Sequence, residues 1–394
     1  MDLRRDGNNP LNMRILVADF AGHPFQYELA NELSRRGHEV THSYCASLLT
    51  PQAAFDPTAR PALAPIDFGR QFENYSLVRR ALDELRYGWR TAHLISSKRP
   101  DRVIVSNMPI ISLAIVWFAC TVCRIRWILW LQDIQSGLVA LARGKLDLAT
   151  LLFGTLERFL IRRAPGIVVI SPEFELAVLS MGVRPHAVTM IENWAPLDQL
   201  PERPRVNAWA KSHSLDQVFT FLYSGTLGLK HSPHLLLALA DEFSGEPDVR
   251  VVVVAEGAGA DQLAATSRPN MVMLPFQPFD QLPDVMGSAD VLVALLDPAA
   301  GGFSVPSKAL TYLCAGRAIL ASIPAENAAA RLIGDRASAG IVVDADDTEA
   351  FLAAARRLVE DSQLRRRLGS AARTYAEATF DRRRIAARFE EALN

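Results

Sequence analysis

Arg250-Val-Val-Val-Val-Ala255 runs straight into Glu256-Gly-Ala-Gly259. A short run that is apolar at every position, rather than at alternate ones, fits a strand covered on both faces, as in a parallel sheet. The glycines that follow mark a tight turn at the strand's carboxyl end. The same alternation of short β-branched runs and longer helical patterns extends outward on both sides. Strands are predicted downstream at Met271–Leu274, Val291–Leu295, Ile319–Ala321 and Ile341–Val343, and just upstream at Phe219–Tyr223. Further upstream they fall at Arg14–Asp19, from His38, and at Arg102–Ser106, Trp127–Leu131, Ile167–Ile170 and Val188–Ile191. Phe25–Arg36 reads as a helix closed by Gly37, a suitable C-cap. This is the α/β pattern of a doubly wound fold.

The rhythm breaks after Asn193, where Pro196–Pro204 holds three prolines and several charges. The expected organisation is a flexible tail over 1–12, a first Rossmann-like domain over 13–195 and a linker over 196–212. A second Rossmann-like domain follows over 213–375, then a C-terminal helix over 376–394 that can return to the first domain. A cleft between two such domains is a favoured ligand site.

Bulk composition excludes several classes. The chain has 394 residues, long for one domain and comfortable for two. Its net charge of −1 gives no global field for nucleic acid. Arg162–Arg163 and Arg382–Arg383–Arg384 read as solvated helix ends, or as contacts for anionic lipid or substrate. The four cysteines suggest no disulfide framework, and Cys120-x-x-Cys123 lies in an apolar run better suited to core packing than to metal or redox work. No signal-peptide pattern precedes the first strand. The longest uncharged stretch, Pro109–Cys123, is 15 residues, short of the roughly 20 a spanning helix needs. A cytoplasmic enzyme is expected, with enough apolar surface for docking at a membrane face.

Three segments carry the candidate chemistry. Tyr223-Ser-Gly-Thr-Leu-Gly-Leu-Lys230-His231 places Gly225, Thr226 and a second glycine after a strand, with a lysine at the loop end. Glycines let backbone N–H groups approach an anion, and Lys230 supplies a point charge suited to phosphate. A plain strand-to-helix turn gives the same pattern. Glu256 and Gly257, at the next strand end, can hold a hydroxyl or cap a helix. Gly301-Gly-Phe-Ser304-Val305-Pro306-Ser307-Lys308 then opens a helix whose free N–H groups favour a diphosphate.

Together these segments resemble the donor domain of the retaining nucleotide-sugar glycosyltransferases of family 4, which have the GT-B fold. Leu274-Pro-Phe276-Gln277-Pro278 matches the phrase before that family's base-binding loop. Ala289-Asp290-Val291 and Ala315-Gly-Arg-Ala-Ile-Leu320 match further positions, and in the first domain Ala21-Gly22-His23-Pro24 and Gly37-His-Glu-Val40 also fit. Leu131-Gln-Asp133-Ile, Ile191-Glu-Asn-Trp194 and Val305-Pro-Ser-Lys308 bring it nearest to the bacterial exopolysaccharide enzymes of colanic-acid type. The resemblance implies a GT-B enzyme moving a sugar, of hexosyl type, from a nucleotide-diphosphate donor to a hydroxyl of a glycan, a lipid-linked saccharide or a small molecule.

By the same resemblance Gly225, Thr226, Lys230, Glu256, Gly257, Phe276, Gln277, Lys308 and the stretch 304–307 bind donor. Asp133 falls in the region near the reacting carbon, where a buried aspartate can hold a hydroxyl or accept the acceptor's proton; a helix N-cap is the plainer reading. Gly22 and His23 lie in a loop that can reach phosphate or acceptor. No metal or other cofactor is expected, because two lysines can supply the charge. One departure stands out: the family commonly has two glutamates eight positions apart, and the ribose-binding second one falls at Thr311. That motivates an alternative, a nucleotide-sugar-binding protein with impaired catalysis; a nucleotide-sugar epimerase on the same fold is another.

Overall fold

The computed structural model describes the chain except residues 1–11, 23, 49–60, 71, 73–76, 135–147, 229–230, 267, 299–307 and 346. Two parallel sheets organise it. The first comprises β1 (Arg14–Asp19), β2 (Glu39–Cys45), β3 (Ala62–Ile66), β4 (Arg102–Ser106), β5 (Arg126–Leu131), β6 (Gly166–Val169) and β7 (Val188–Met190). Their order is β3-β2-β1-β4-β5-β6-β7. The second comprises β8 (Phe219–Ser224), β9 (Val249–Val254), β10 (Met271–Leu274), β11 (Val291–Leu295), β12 (Ala318–Ser322) and β13 (Gly340–Val343), in the order β10-β9-β8-β11-β12-β13. Every recorded pairing within both sheets is parallel.

The continuously apolar runs are the buried central strands. Val251–Val254 and Val291–Leu295 are almost wholly buried, with helices packed against their sheet. In both sheets the strand order reverses beside the first strand, at β1/β4 and at β8/β11. A crevice outside the carboxyl ends of the strands at such a reversal is the usual ligand position in open α/β sheets.

β3, Ala-Leu-Ala-Pro-Ile, is a strand the sequence reading did not anticipate. It lies at the sheet edge and is mostly exposed, where proline is tolerated because no partner needs its missing N–H.

Contacts divide the chain into residues 1–193 with 382–394, and residues 194–381. The last helix, Arg382–Leu393, belongs to the first unit: Phe389 is buried against Trp130, ring centres 4.7 Å apart. Glu390 accepts both Arg36 Nε, at 2.7 Å, and His38 Nε2, at 2.8 Å. The stretch 196–212, read as a linker, is instead built into the second unit. Trp209 is buried, Arg205 Nε donates to Asp290 at 2.8 Å, and Arg317 and Arg373 donate to the carbonyls of Arg203 and Leu200. Its prolines and charges signal irregular backbone, and arginine–carbonyl bonds keep that backbone paired where it is covered.

Cys120 is buried, and burial pushes its thiol up to about 12, while Cys123 is exposed at the end of the helix Ile110–Cys123. Among the described residues no helix is long and apolar enough to cross a membrane.

Candidate active site

The second sheet's reversal point brings three sequence segments together. At the carboxyl end of β8, Gly225 has φ +125°, a conformation side chains disfavour. A Cβ there would lie 3.5 Å from Lys308 Cε and 3.6 Å from its Nζ. The open flank of Gly225 is therefore where the Lys308 side chain lies. Lys308, half-buried, starts the helix Lys308–Cys314.

Two tyrosines from the same segments hold this arrangement. The Lys308 ammonium donates to the Tyr223 hydroxyl and lies 3.7 Å from the ring centre. The Tyr223 hydroxyl in turn donates to the Thr226 carbonyl at 2.8 Å. Tyr312 accepts the Ser224 N–H at 2.9 Å and donates to the Ser224 carbonyl at 3.1 Å. A buried tyrosine needs such partners for its hydroxyl. Burial holds both phenols well above their ordinary range, so both are neutral at pH 7. The helix that begins with Lys308 is thus pinned to the end of β8 at Tyr223 and Ser224, the two residues before Gly225.

The β9 turn interlocks with the β8 loop. Gly225 N–H donates to Val254 O at 3.0 Å, Leu227 N–H to Glu256 O at 2.9 Å, and Gly259 N–H to Leu227 O at 2.9 Å. A Cβ on Gly257 or Gly259 would come within 2.9 Å or 2.8 Å of the Leu227 carbonyl oxygen. Gly257 also has φ +118°. These glycines serve backbone-to-backbone contact, and they leave the Glu256 side chain exposed at the rim. His231 Nδ1 accepts the Gly228 N–H at 2.9 Å, so this histidine shapes the loop.

Other expected residues are placed differently. Thr311 donates to the Lys308 carbonyl at 2.9 Å, so its hydroxyl is engaged within its own helix. Phe276 is exposed beyond β10, the sheet's edge strand. Gln277 is bonded at both ends of its amide, accepting Trp209 Nε1 at 3.3 Å and donating to Pro275 O at 3.0 Å. Asp290 pairs with Arg205 and the Thr220 N–H, a structural role at the strand's amino end. Lys230, His23, Ser304, Val305, Pro306 and Ser307 lie outside the described residues.

In the first unit, Asp133 follows the carboxyl end of β5 but is exposed, which corrects the expected buried aspartate. The chain leaves the sheet directly after Leu131, so the second residue beyond reaches the surface. Asp133 lines a cavity of about 210 Å³ with Ala21, Asn107, Trp130 and Glu157. Gly22, with φ +73°, follows a turn in which the buried Asp19 accepts the Ala21 N–H at 3.1 Å and Asn107 Nδ2 at 3.3 Å. Asp19 was not singled out in the sequence; its position at the end of the first strand is the signal that marks it. Gln132 and Asn193, from two separate motif phrases, exchange amide hydrogen bonds of 3.1 and 2.6 Å.

Two parallel, doubly wound units, the second with a glycine-and-lysine cradle at its reversal point, define a class. Residues 22–194 match the family model of a glycosyl transferase 4-like domain, and residues 218–361 that of glycosyl transferases group 1. The chain belongs to the GT-B glycosyltransferases of family 4 type and is a transferase.

Among its relatives is the protein designated colanic acid biosynthesis glycosyl transferase WcaI of Escherichia coli (strain K12). It is 23% identical over 302 residues, 74% of this chain and 73% of the relative. Two solved structures share the fold. HepE of Anabaena, solved with UDP-glucose, has a TM-score of 0.70 at 15% identity, covering 97% of this chain and 99% of the other. Sucrose-phosphate synthase of Thermosynechococcus elongatus has a TM-score of 0.72 at 14% identity, covering 96% and 98%.

Proposed function

We propose that this enzyme moves a hexosyl group from a nucleotide-diphosphate sugar to a hydroxyl of a glycan or lipid-linked saccharide, with retention, in bacterial surface polysaccharide assembly. The observation that carries the donor assignment is the Lys308 ammonium held beside Gly225 at the carboxyl end of β8. A fixed cation beside open backbone, where strand order reverses, suits a diphosphate. HepE, which shares the fold, is solved with UDP-glucose, and this supports a nucleotide-sugar as donor. The WcaI relative supports the polysaccharide role.

In this reading Lys308 and Lys230, with N–H groups of the stretch 304–307, neutralise the diphosphate. The bond between the sugar's anomeric carbon and the diphosphate oxygen breaks, and its electron pair leaves with that oxygen. Positive charge fixed beforehand stabilises this developing anion without reorganisation. The exposed Glu256 holds sugar or ribose hydroxyls, and Gly225, Thr226 and Gly257 line the approach. Phe276 contributes a face for the base. Gln277 and Thr311 are already bonded internally, so they contribute shape more than new hydrogen bonds, and ribose contacts come from elsewhere. The acceptor oxygen attacks the same face of the sugar, and Asp133 holds a hydroxyl or takes the acceptor's proton. Gly22 and His23 border the acceptor or phosphate region. The two lysines supply the charge that a metal supplies in other transferases.

A panel of nucleotide-sugars, screened for thermal stabilisation and then for labelled-sugar transfer, tests the reading. Stabilisation by one donor, with transfer to a saccharide acceptor and an unchanged anomeric configuration in the product, is expected. An inverted product would reject retention alone. No response to any nucleotide-sugar would reject the whole reading.

A further inference from the structure

Three helices of the first unit pack side by side: Leu77–Lys98, Ile110–Cys123 and Leu148–Arg163. Gly88 permits the closest approach, since a Cβ there would lie 2.9 Å from Ser112 Cα. Trp117 and Phe159 join the second and third helices, with ring centres 5.3 Å apart.

The outer surface of this layer is apolar where it should be polar. On the first helix Val78, Leu82, Leu85 and Trp89 are exposed by 73%, 53%, 39% and 66%. Their spacing of four, three and four residues sets them within an arc of about 60° on one face. The opposite face buries Asp83, Tyr87 and Ile95, so the helix is already anchored to the core without this stripe. Phe118 and Val122 are exposed on the second helix, and Leu151, Leu152 and Phe159 on the third. Singly exposed apolar residues are ordinary; a set of nine on three packed helices marks an interaction surface.

Charge decides what the surface fits. Every described acidic residue on these helices is buried: Asp83 beneath Arg70, Glu84 beneath Arg80, and Glu157. Every exposed charged residue on them is an arginine or lysine, and the middle helix carries no charge at all. Exposed apolar side chains on helices whose exposed charges are all cationic suit the interface of an anionic bilayer, where rings and aliphatic groups enter the acyl boundary and cations meet headgroup phosphates. The exposed Asp67, beside Phe68 and Arg90 at the edge of this surface, lies on a loop and not on the helices themselves.

We infer that this three-helix layer is a membrane-docking face, centred on Trp89 and Leu82, that seats the enzyme on an anionic bilayer without spanning it. It deepens the lipid-linked acceptor reading and rests on that reading only for its purpose, since vesicle binding is measurable without any acceptor.

The test is sedimentation of the full chain with vesicles containing phosphatidylglycerol, compared with pure phosphatidylcholine. Binding to the anionic vesicles is expected, weakening as salt is raised. Leu82→Ser with Trp89→Ser, and separately Arg79→Glu with Arg86→Glu, should each weaken it by at least about tenfold. All four side chains are exposed, so unchanged melting temperatures and donor binding are expected alongside. Failure to bind anionic vesicles, or binding by both variants as tight as the parent's, would overturn the inference. So would a wild-type dimer that Trp89→Ser converts to monomer, because the face would then be covered by a second copy. Vesicle binding that fails while donor binding persists rejects the docking face and leaves the donor assignment standing; the converse rejects the donor assignment alone.

Discussion

The Lys308 ammonium sits 3.7 Å from the centre of the Tyr223 ring and donates to that residue's hydroxyl. A lysine has four rotatable carbons, so a cation needed at one point must be held there. The ring face and the phenol oxygen do this together, and the hydroxyl passes the constraint on to Thr226 O at 2.8 Å. Tyr223→Phe keeps the ring and removes the hydroxyl. Transfer activity should fall about tenfold, with most of the loss in kcat, because lysine placement matters most as the diphosphate leaves. Steady-state kinetics with the preferred donor measures this. A rise in KM alone would mean that the hydroxyl serves ground-state binding.

Tyr312 touches both backbone groups of Ser224. Tyr312→Phe leaves a buried N–H and carbonyl without their partner. The expected loss is about 1–3 kcal/mol, visible as a lower midpoint in thermal or urea unfolding. Added nucleotide-sugar should recover less stability in the variant than in the parent.

Gly257 combines φ +118° with a Leu227 carbonyl oxygen 2.9 Å from where its Cβ would be. Gly257→Ala should cost roughly 1–3 kcal/mol and raise the donor KM, since the β8 loop must move. Gly245→Ala is the control: nothing lies within 4 Å of that added Cβ, and its unfolding midpoint should barely change.

Glu390 supplies the pH dependence. Burial raises its pKa, but hydrogen bonds from Arg36 and His38 outweigh that, and the carboxyl is held below its ordinary value of 4.5. A depressed folded pKa means stability that is present above the unfolded value and lost as pH falls through the folded one. Stability should therefore decline on acidification below about pH 4.5, the reference value. Glu390→Gln should lower unfolding stability at pH 7 by an amount on the order of 1–2 kcal/mol and flatten that acid limb. An unchanged acid limb in the variant would assign it to other carboxylates.

The two-sheet architecture was legible because the strands at the centre of each sheet are continuous apolar runs. Val251–Val254 can hardly be anything else once glycines follow it. β3 was not legible, because an edge strand owes its pairing to its neighbour and tolerates Pro65. The role of residues 196–212 was hidden for a related reason. Prolines announce irregular backbone, but only Arg205, Arg317 and Arg373, the last two more than a hundred residues downstream, show that it is packed. In the site, Gly225 and Lys308 could be read from residue type, since their chemistry is local. Tyr223, within a quoted motif, and Tyr312, four residues beyond another, carried no signal, because each acts through a partner brought close only by the sheet. Asp133 was placed correctly beyond its strand, but exposure depends on where the chain leaves the sheet.

Lys308 is the residue on which the nucleotide-diphosphate-sugar site stands or falls. Calorimetric titration of the preferred nucleotide-sugar into the parent and Lys308→Ala, with the matching nucleoside monophosphate alongside, tests it most directly. Lys308→Ala should weaken the diphosphate sugar by at least about tenfold, the 1.4 kcal/mol scale of one lost charge contact, while the monophosphate changes little. Equal binding of the diphosphate sugar by parent and variant would contradict it.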